Sequence, residues 1–331
     1  MRWSPIVACV SVLMGVPGAP AQSGARAEFE RGEVTTPDGA RLYYETGGSG
    51  PEAVVVLARL FALEEFRWLA ERYTVVSYDM RNRGGSSLVI DGSRLTLEAD
   101  VDDLETVRRH FGLERFSLIG YSYLGKVAVM YEMEHPDRVE RIVQLGPVPP
   151  TFSTTYRPEF VATDDPRDPD GVAHLRTLRE AGVHLTDPRG YCEAEWSVTR
   201  VRLVGDPRRV DVLGPSPCDM ANEWPTLLAR HMQHHFVESS QTHRMDPSAI
   251  ARVRTPVLTI HGTRDRNAPY GAGREWSYLL PNGRLLTVEG GAHQVFAEYR
   301  DVVRPAVRTF LQGRWPEAAV EVTDDPRAAG R

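Results

Sequence analysis

The chain has 331 residues, of which 41% are hydrophobic and 25% charged, and its formal net charge is −6. These values exclude a disordered, collagen-like or multi-span membrane polypeptide. The excess of acidic over basic residues offers no field for a phosphate backbone, so nucleic acid is not an expected partner. An acidic surface also disfavours strongly anionic substrates.

The N-terminus reads as an export signal. Arg2 gives a positive start, residues 6–16 are apolar, and Ala19-Pro20-Ala21 makes a small-residue cleavage pattern. Residues 1–21 are therefore expected to be a signal peptide. The apolar run is shorter than the ~20 residues of a membrane span, so no membrane association is expected after cleavage, and the localisation is periplasmic or extracellular. Cys9 would leave with the leader. Cys192 and Cys218 remain, an even pair suited to one disulfide in an oxidising compartment. Neither cysteine has the His-Cys spacing of a zinc site, so no metal is expected.

Beyond the leader, strands and helices alternate, which points to a largely parallel sheet covered on both faces. Residues 34–36 and 41–44 flank Pro37-Asp38-Gly39, a hairpin turn. Residues 53–57 and 73–78 are apolar runs of the kind buried on both faces. Residues 97–111 carry apolar side chains at helical spacing and stop at Gly112. A strand at 116–119 runs into Gly120, a helix follows at 124–135, and a strand returns at 139–145. The alternation then fails for about a hundred residues, with helical stretches near 172–181, 191–204 and 224–236. It resumes as strand 257–261, helix 271–280, strand 284–288 and helix 297–311. This organisation divides the chain into a core first part (22–148), an insertion (149–250), a core second part (251–315) and a polar tail (316–331). The tail is expected to fray.

The stretch Gly120-Tyr121-Ser122-Tyr123-Leu124-Gly125 follows a buried strand and opens a helix, the context a nucleophile elbow requires. A serine at a helix start is otherwise an N-cap. Serine needs a base, and the base an orienting acid. Asp265 stands just past the strand 257–261, and His293 just past the strand 284–288 behind Gly290-Gly291. All three follow strand ends, where open α/β sheets bind ligands. His261 belongs to its strand and reads as structural.

The chain resembles the α/β-hydrolase family over nearly all of its length past the leader. Asp79-Met80-Arg81-Asn82-Arg83-Gly84-Gly85-Ser86 is similar to that family's D-x-R-G-x-G-x-S turn, with Asn82 where glycine is usual. His135-Pro136-Asp137-Arg138-Val139 and the placement of the insertion also match. The resemblance implies an α/β-hydrolase fold with an inserted, mainly helical cap, Ser122, His293 and Asp265 as a triad, and no cofactor. It places the oxyanion donors at the main-chain amides of Tyr123 and Leu60. Two departures stand out: Leu124 replaces a second glycine, and Ala58-Arg59-Leu60-Phe61 replaces a His-Gly loop. Segments around Cys192 and 218–223 look most like the proline iminopeptidase branch, in which acidic cap residues receive an amino group. Glu223, Glu193 and Glu195 are the candidates this implies. The expected substrate is thus a small ester or amide or a short peptide. An aminopeptidase, a carboxylesterase of small acyl groups and a ligand-binding relative with little turnover remain the readings.

Overall fold

The computed structural model describes residues 28–152, 154–231 and 243–328; the expected leader and Cys9 lie outside the described residues, as do the last three. The turn at Pro37-Asp38-Gly39 joins β1 (Phe29–Thr35) to β2 (Arg41–Gly47), which pair antiparallel. β3 (Ala53–Leu57) lies between β4 (Thr74–Tyr78) and β5 (Phe116–Tyr121), parallel to both. β6 (Val139–Leu145), β7 (Val257–Gly262) and β8 (Gly283–Val288) extend the parallel run. β9 (Ala319–Val320) pairs antiparallel with β8, giving a nine-stranded sheet of order β1-β2-β4-β3-β5-β6-β7-β8-β9. The tail expected to fray is thus tied down, again by a bridge between Tyr156 and Arg327.

Helices follow the strands: α1 (Arg59–Phe66) after β3, α2 (Leu97–His110) before β5, α3 (Tyr123–Glu134) between β5 and β6. Between β6 and β7 come α4 (Pro169–Glu180), α5 (Val183–Thr186), α6 (Pro188–Thr199), α7 (Pro225–His231) and α8 (Pro247–Ile250). β6 and β7 are nevertheless neighbours in the sheet, so the broken rhythm of the sequence marks chain looped out of a continuous core. α9 (Tyr270–Leu279), α10 (Val295–Glu298) and α11 (Arg300–Leu311) complete the chain. Two expected helices differ: 191–204 becomes α6 followed by a 3-10 turn at Arg200–Leu203, and 297–311 is divided between α10 and α11. Among the described residues, no helix is long and apolar enough to cross a membrane.

Alternation along the strands builds two cores. Val55 and Leu57 face a cluster with α2, α3 and Trp276, while Val54 and Val56 face a second with α1 and α11. Cys192 and Cys218 are joined, tying α6 to the 3-10 turn Pro217–Asp219, a link worth about 2–4 kcal/mol.

The α2–α3 pair carries a polar tie. Glu105 accepts hydrogen bonds from Arg108 and Arg109 of its own helix and from the Tyr131 hydroxyl of α3. The bond from Arg108, ahead of those from Tyr131 and Arg109, lowers its carboxyl to about 2. A carboxylate with a depressed folded pKa stabilises above its unfolded value and loses that contribution as pH falls through the folded one. Glu105→Gln should therefore cost about 1 kcal/mol at pH 7. The gap to the parent should close between the ordinary 4.5 and about 2, as read by urea unfolding at stepped pH.

Candidate active site

The residues after β5 turn sharply. Ser122 has φ 56° and ψ −126°, a conformation that disfavours any side chain, and α3 begins at the next residue. Its amide donates to the Leu145 carbonyl of β6 at 2.9 Å, which fixes the turn to the sheet. Gly120 is required because a Cβ there would sit 2.4 Å from the Leu124 carbonyl oxygen as α3 passes. Ser122 Oγ makes no capping bond to α3; instead it lies 3.1 Å from His293 Nε2. The N-cap alternative is thereby removed.

His293 Nδ1 is 2.7 Å from Asp265 Oδ2. A carboxylate can only accept, so Nδ1 carries the proton and Nε2 is left to accept from the serine. The second Asp265 oxygen accepts from the amides of Asn267 and Ala268 at 2.8 and 2.9 Å. Burial alone would push the Asp265 carboxyl up. The charge His293 can carry and the hydrogen bonds from His261 and His293 outweigh it and hold the carboxyl well below the usual range. His261 is accordingly more than a strand residue: its Nε2 lies 3.2 Å from Asp265 Oδ2 and 3.0 Å from the Ala268 carbonyl. Gly146, at φ +50°, passes so close to this pair that a Cβ would lie 3.1 Å from Asp265 Oδ2.

Leu124 meets no strain. It is 2% exposed, in α3 and the core, and among the described non-glycine residues positive φ falls on Ser122, Ala58 and Asn82. Ala58 (φ 69°) turns the chain out of β3 into α1, which places Leu60 in the first turn of that helix. Arg59 secures this loop: its guanidinium donates to Asp79 at 2.7 and 2.9 Å and to Glu45 at 2.8 Å. Leu60 and Tyr123 both line the cavity above Ser122. That cavity, of about 460 Å³, is walled by Phe61, Met80, Tyr121, Leu124, Val148 and Leu203, with His293 and Ser122 at its floor.

The three acidic cap candidates do not line it, which corrects the expectation drawn from the resemblance. Glu223 is 3% exposed and bound by Arg83, whose Nε and Nη2 fork onto it, and by the Gly84 amide at 2.9 Å. Glu193 is exposed and accepts from Ser216. Glu195 is half-buried within α6, and burial pushes its carboxyl up. The basic residues Arg83, Arg202 and Arg266 line the cavity in their place. Glu298, also missed by sequence reasoning, accepts from the amides of Ala292 and Gly205 at 3.3 and 2.9 Å, joining the His293 loop to the insertion. Among the described residues, no cluster of side chains is arranged to hold a metal.

This arrangement defines a hydrolase-type site, and the chain belongs to the α/β-hydrolase family: residues 58–298 match the model of the alpha/beta hydrolase fold. It is 24% identical over 293 residues to the bifunctional esterase/perhydrolase of Acinetobacter calcoaceticus, covering 85% of this chain and 99% of that one. It is 26% identical over 294 residues to the non-heme chloroperoxidase of Streptomyces lividans, with the same coverage, 85% and 99%. Its fold is like that of an esterase from Exiguobacterium antarcticum, with a TM-score of 0.62, 18% identity, and coverage of 85% and 98%.

The turn at 79–86 explains how Asn82 replaces a glycine. At φ 62° it occupies the left-handed region that asparagine tolerates, and its side chain brackets Val89, donating to the carbonyl at 2.9 Å and accepting from the amide. Asn82→Gly keeps the backbone but removes both bonds, and should cost about 1–2 kcal/mol. Asn82→Ala adds backbone strain and should cost more. Urea unfolding of both variants tests this, and a glycine variant as stable as the parent would show that the bracket contributes nothing.

Proposed function

We propose that the chain is an exported serine hydrolase of small carboxylic esters. The observation that carries this is the continuous chain from Ser122 Oγ to His293 Nε2, at 3.1 Å, and from His293 Nδ1 to Asp265, at 2.7 Å. Ser122 Oγ attacks the ester carbonyl as its proton passes to His293 Nε2, and Asp265 holds the imidazole and stabilises the cation that forms. The main-chain amides of Leu60 and Tyr123 receive the oxyanion. Collapse expels the alcohol, which takes the proton from His293 and leaves an acyl group on Ser122. Water, deprotonated by His293, then releases the acid and restores the serine. The residues supply every proton acceptor and donor in this cycle, so no cofactor is invoked.

An ester substrate is favoured over an amino-terminal peptide. An aminopeptidase needs an acid facing its substrate's ammonium, and the carboxylate that lines the cavity away from the triad, Asp79, is already held by Arg59. The esterase among the relatives supports the same choice. The leader pattern at 1–21 and the Cys192–Cys218 disulfide support export.

A fluorophosphonate probe should label the parent and not Ser122→Ala; equal labelling of the two, or labelling of neither, would overturn the nucleophile assignment. A short aryl ester should be turned over faster than a prolyl arylamide, and the reverse order would restore the peptidase reading. Asp265→Asn should lower kcat by about 10⁴-fold, measured on the same ester.

A further inference from the structure

The charges around the cavity do not cancel. Asp79 is taken by Arg59, Arg83 by Glu223, and Arg266 by Asp164, at 2.7 Å in each pair. Arg202 also lines the cavity, from the 3-10 turn that follows α6. Its guanidinium donates to the Arg266 carbonyl at 2.8 Å. Among the described residues, no carboxylate forms an ion pair with it. Asp165 feels its charge but is forked by Arg167, Nε and Nη2 lying 3.0 and 2.6 Å from its oxygens. Arg202 is therefore, among the described cavity-lining residues, the cation without a carboxylate partner.

Its position is fixed relative to the triad. The next residue, Leu203, accepts a hydrogen bond at 2.9 Å from the Gln294 amide, which directly follows His293. Arg202 thus stands on the cavity wall beside the catalytic histidine loop, and the remaining wall is mostly apolar. An uncompensated guanidinium in such surroundings favours an anion, and its planar fork matches a carboxylate in two parallel bonds. One unpaired cation balances one negative charge; a dianion would leave an excess charge to be desolvated.

Resting on the serine-hydrolase reading, we infer that the site is selective for esters that carry a single carboxylate on the acyl portion, with Arg202 as the residue that receives it. The net charge of −6, which argues against anions at long range, is screened over a Debye length of about 8 Å, whereas contact with Arg202 is local.

The test compares mono-4-nitrophenyl glutarate with 4-nitrophenyl butyrate, which share a leaving group and differ in the terminal carboxylate. The ratio of their kcat/KM values in the parent should favour the half-ester by roughly tenfold to a hundredfold, the range of a hydrogen bond to a charged group. That ratio should shrink in high salt. Arg202→Gln should lower the ratio by at least tenfold, and Arg202→Lys should keep part of it. Calorimetry with monomethyl glutarate, which carries a single carboxylate, gives a readout without turnover: Ser122→Ala should bind it, and the Ser122→Ala, Arg202→Gln double variant should not. A parent that prefers the butyrate, or Ser122→Ala that binds no monomethyl glutarate, would overturn the inference. Butyrate turnover and probe labelling would in that event leave the serine-hydrolase reading standing, whereas loss of both with monomethyl glutarate binding intact would sink that reading alone.

Discussion

The site depends on one strained backbone position. Ser122 holds a positive φ between β5 and α3, at a cost on the order of 1–3 kcal/mol. If the turn relaxed, the hydroxyl would be placed to cap α3 as an ordinary helix-start serine does. The burial of β5 and α3 in the two cores offsets the strain and keeps Oγ aimed at His293. The narrow passage at Gly120, the Ser122 amide bond to Leu145 and the close approach of Gly146 to Asp265 all serve the same turn.

What could be read from the sequence was local or followed from chain order. Continuous apolar runs locate β3 and β4, alternation of strands and helices locates the sheet, and strand ends locate Ser122, Asp265 and His293. The missed features are contacts between distant segments. Glu223 looked like a substrate ligand in its own segment, yet its partner, Arg83, is 140 residues away. Arg59 and Asp79 are 20 apart, and nothing in either segment announces that one clamps the other. The family resemblance makes residues 58–61 a loop, whereas α1 starts inside them, entered from the left-handed conformation of Ala58. β9 was missed because two residues carry no periodicity.

The departures from the family pattern have different outcomes. Leu124 is absorbed by the helix and core without backbone strain. Asn82 keeps the glycine conformation and adds two hydrogen bonds. Ala58 carries strain that glycine would not, with the Arg59 clamp on Asp79 and Glu45 beside it. Total charge is also a poor guide to the cavity: the chain is acidic, yet Arg83, Arg202 and Arg266 line the cavity against one carboxylate, Asp79.

The join between the insertion and the histidine loop has a mechanical consequence. Leu203 accepts from the Gln294 amide, and Glu298 holds the Gly205 and Ala292 amides together. A lid that carried this end with it as it lifted would have to break these bonds or draw the general base off its nucleophile. Opening that leaves the triad standing therefore leaves residues 203–206 in place and moves the rest of the insertion around them.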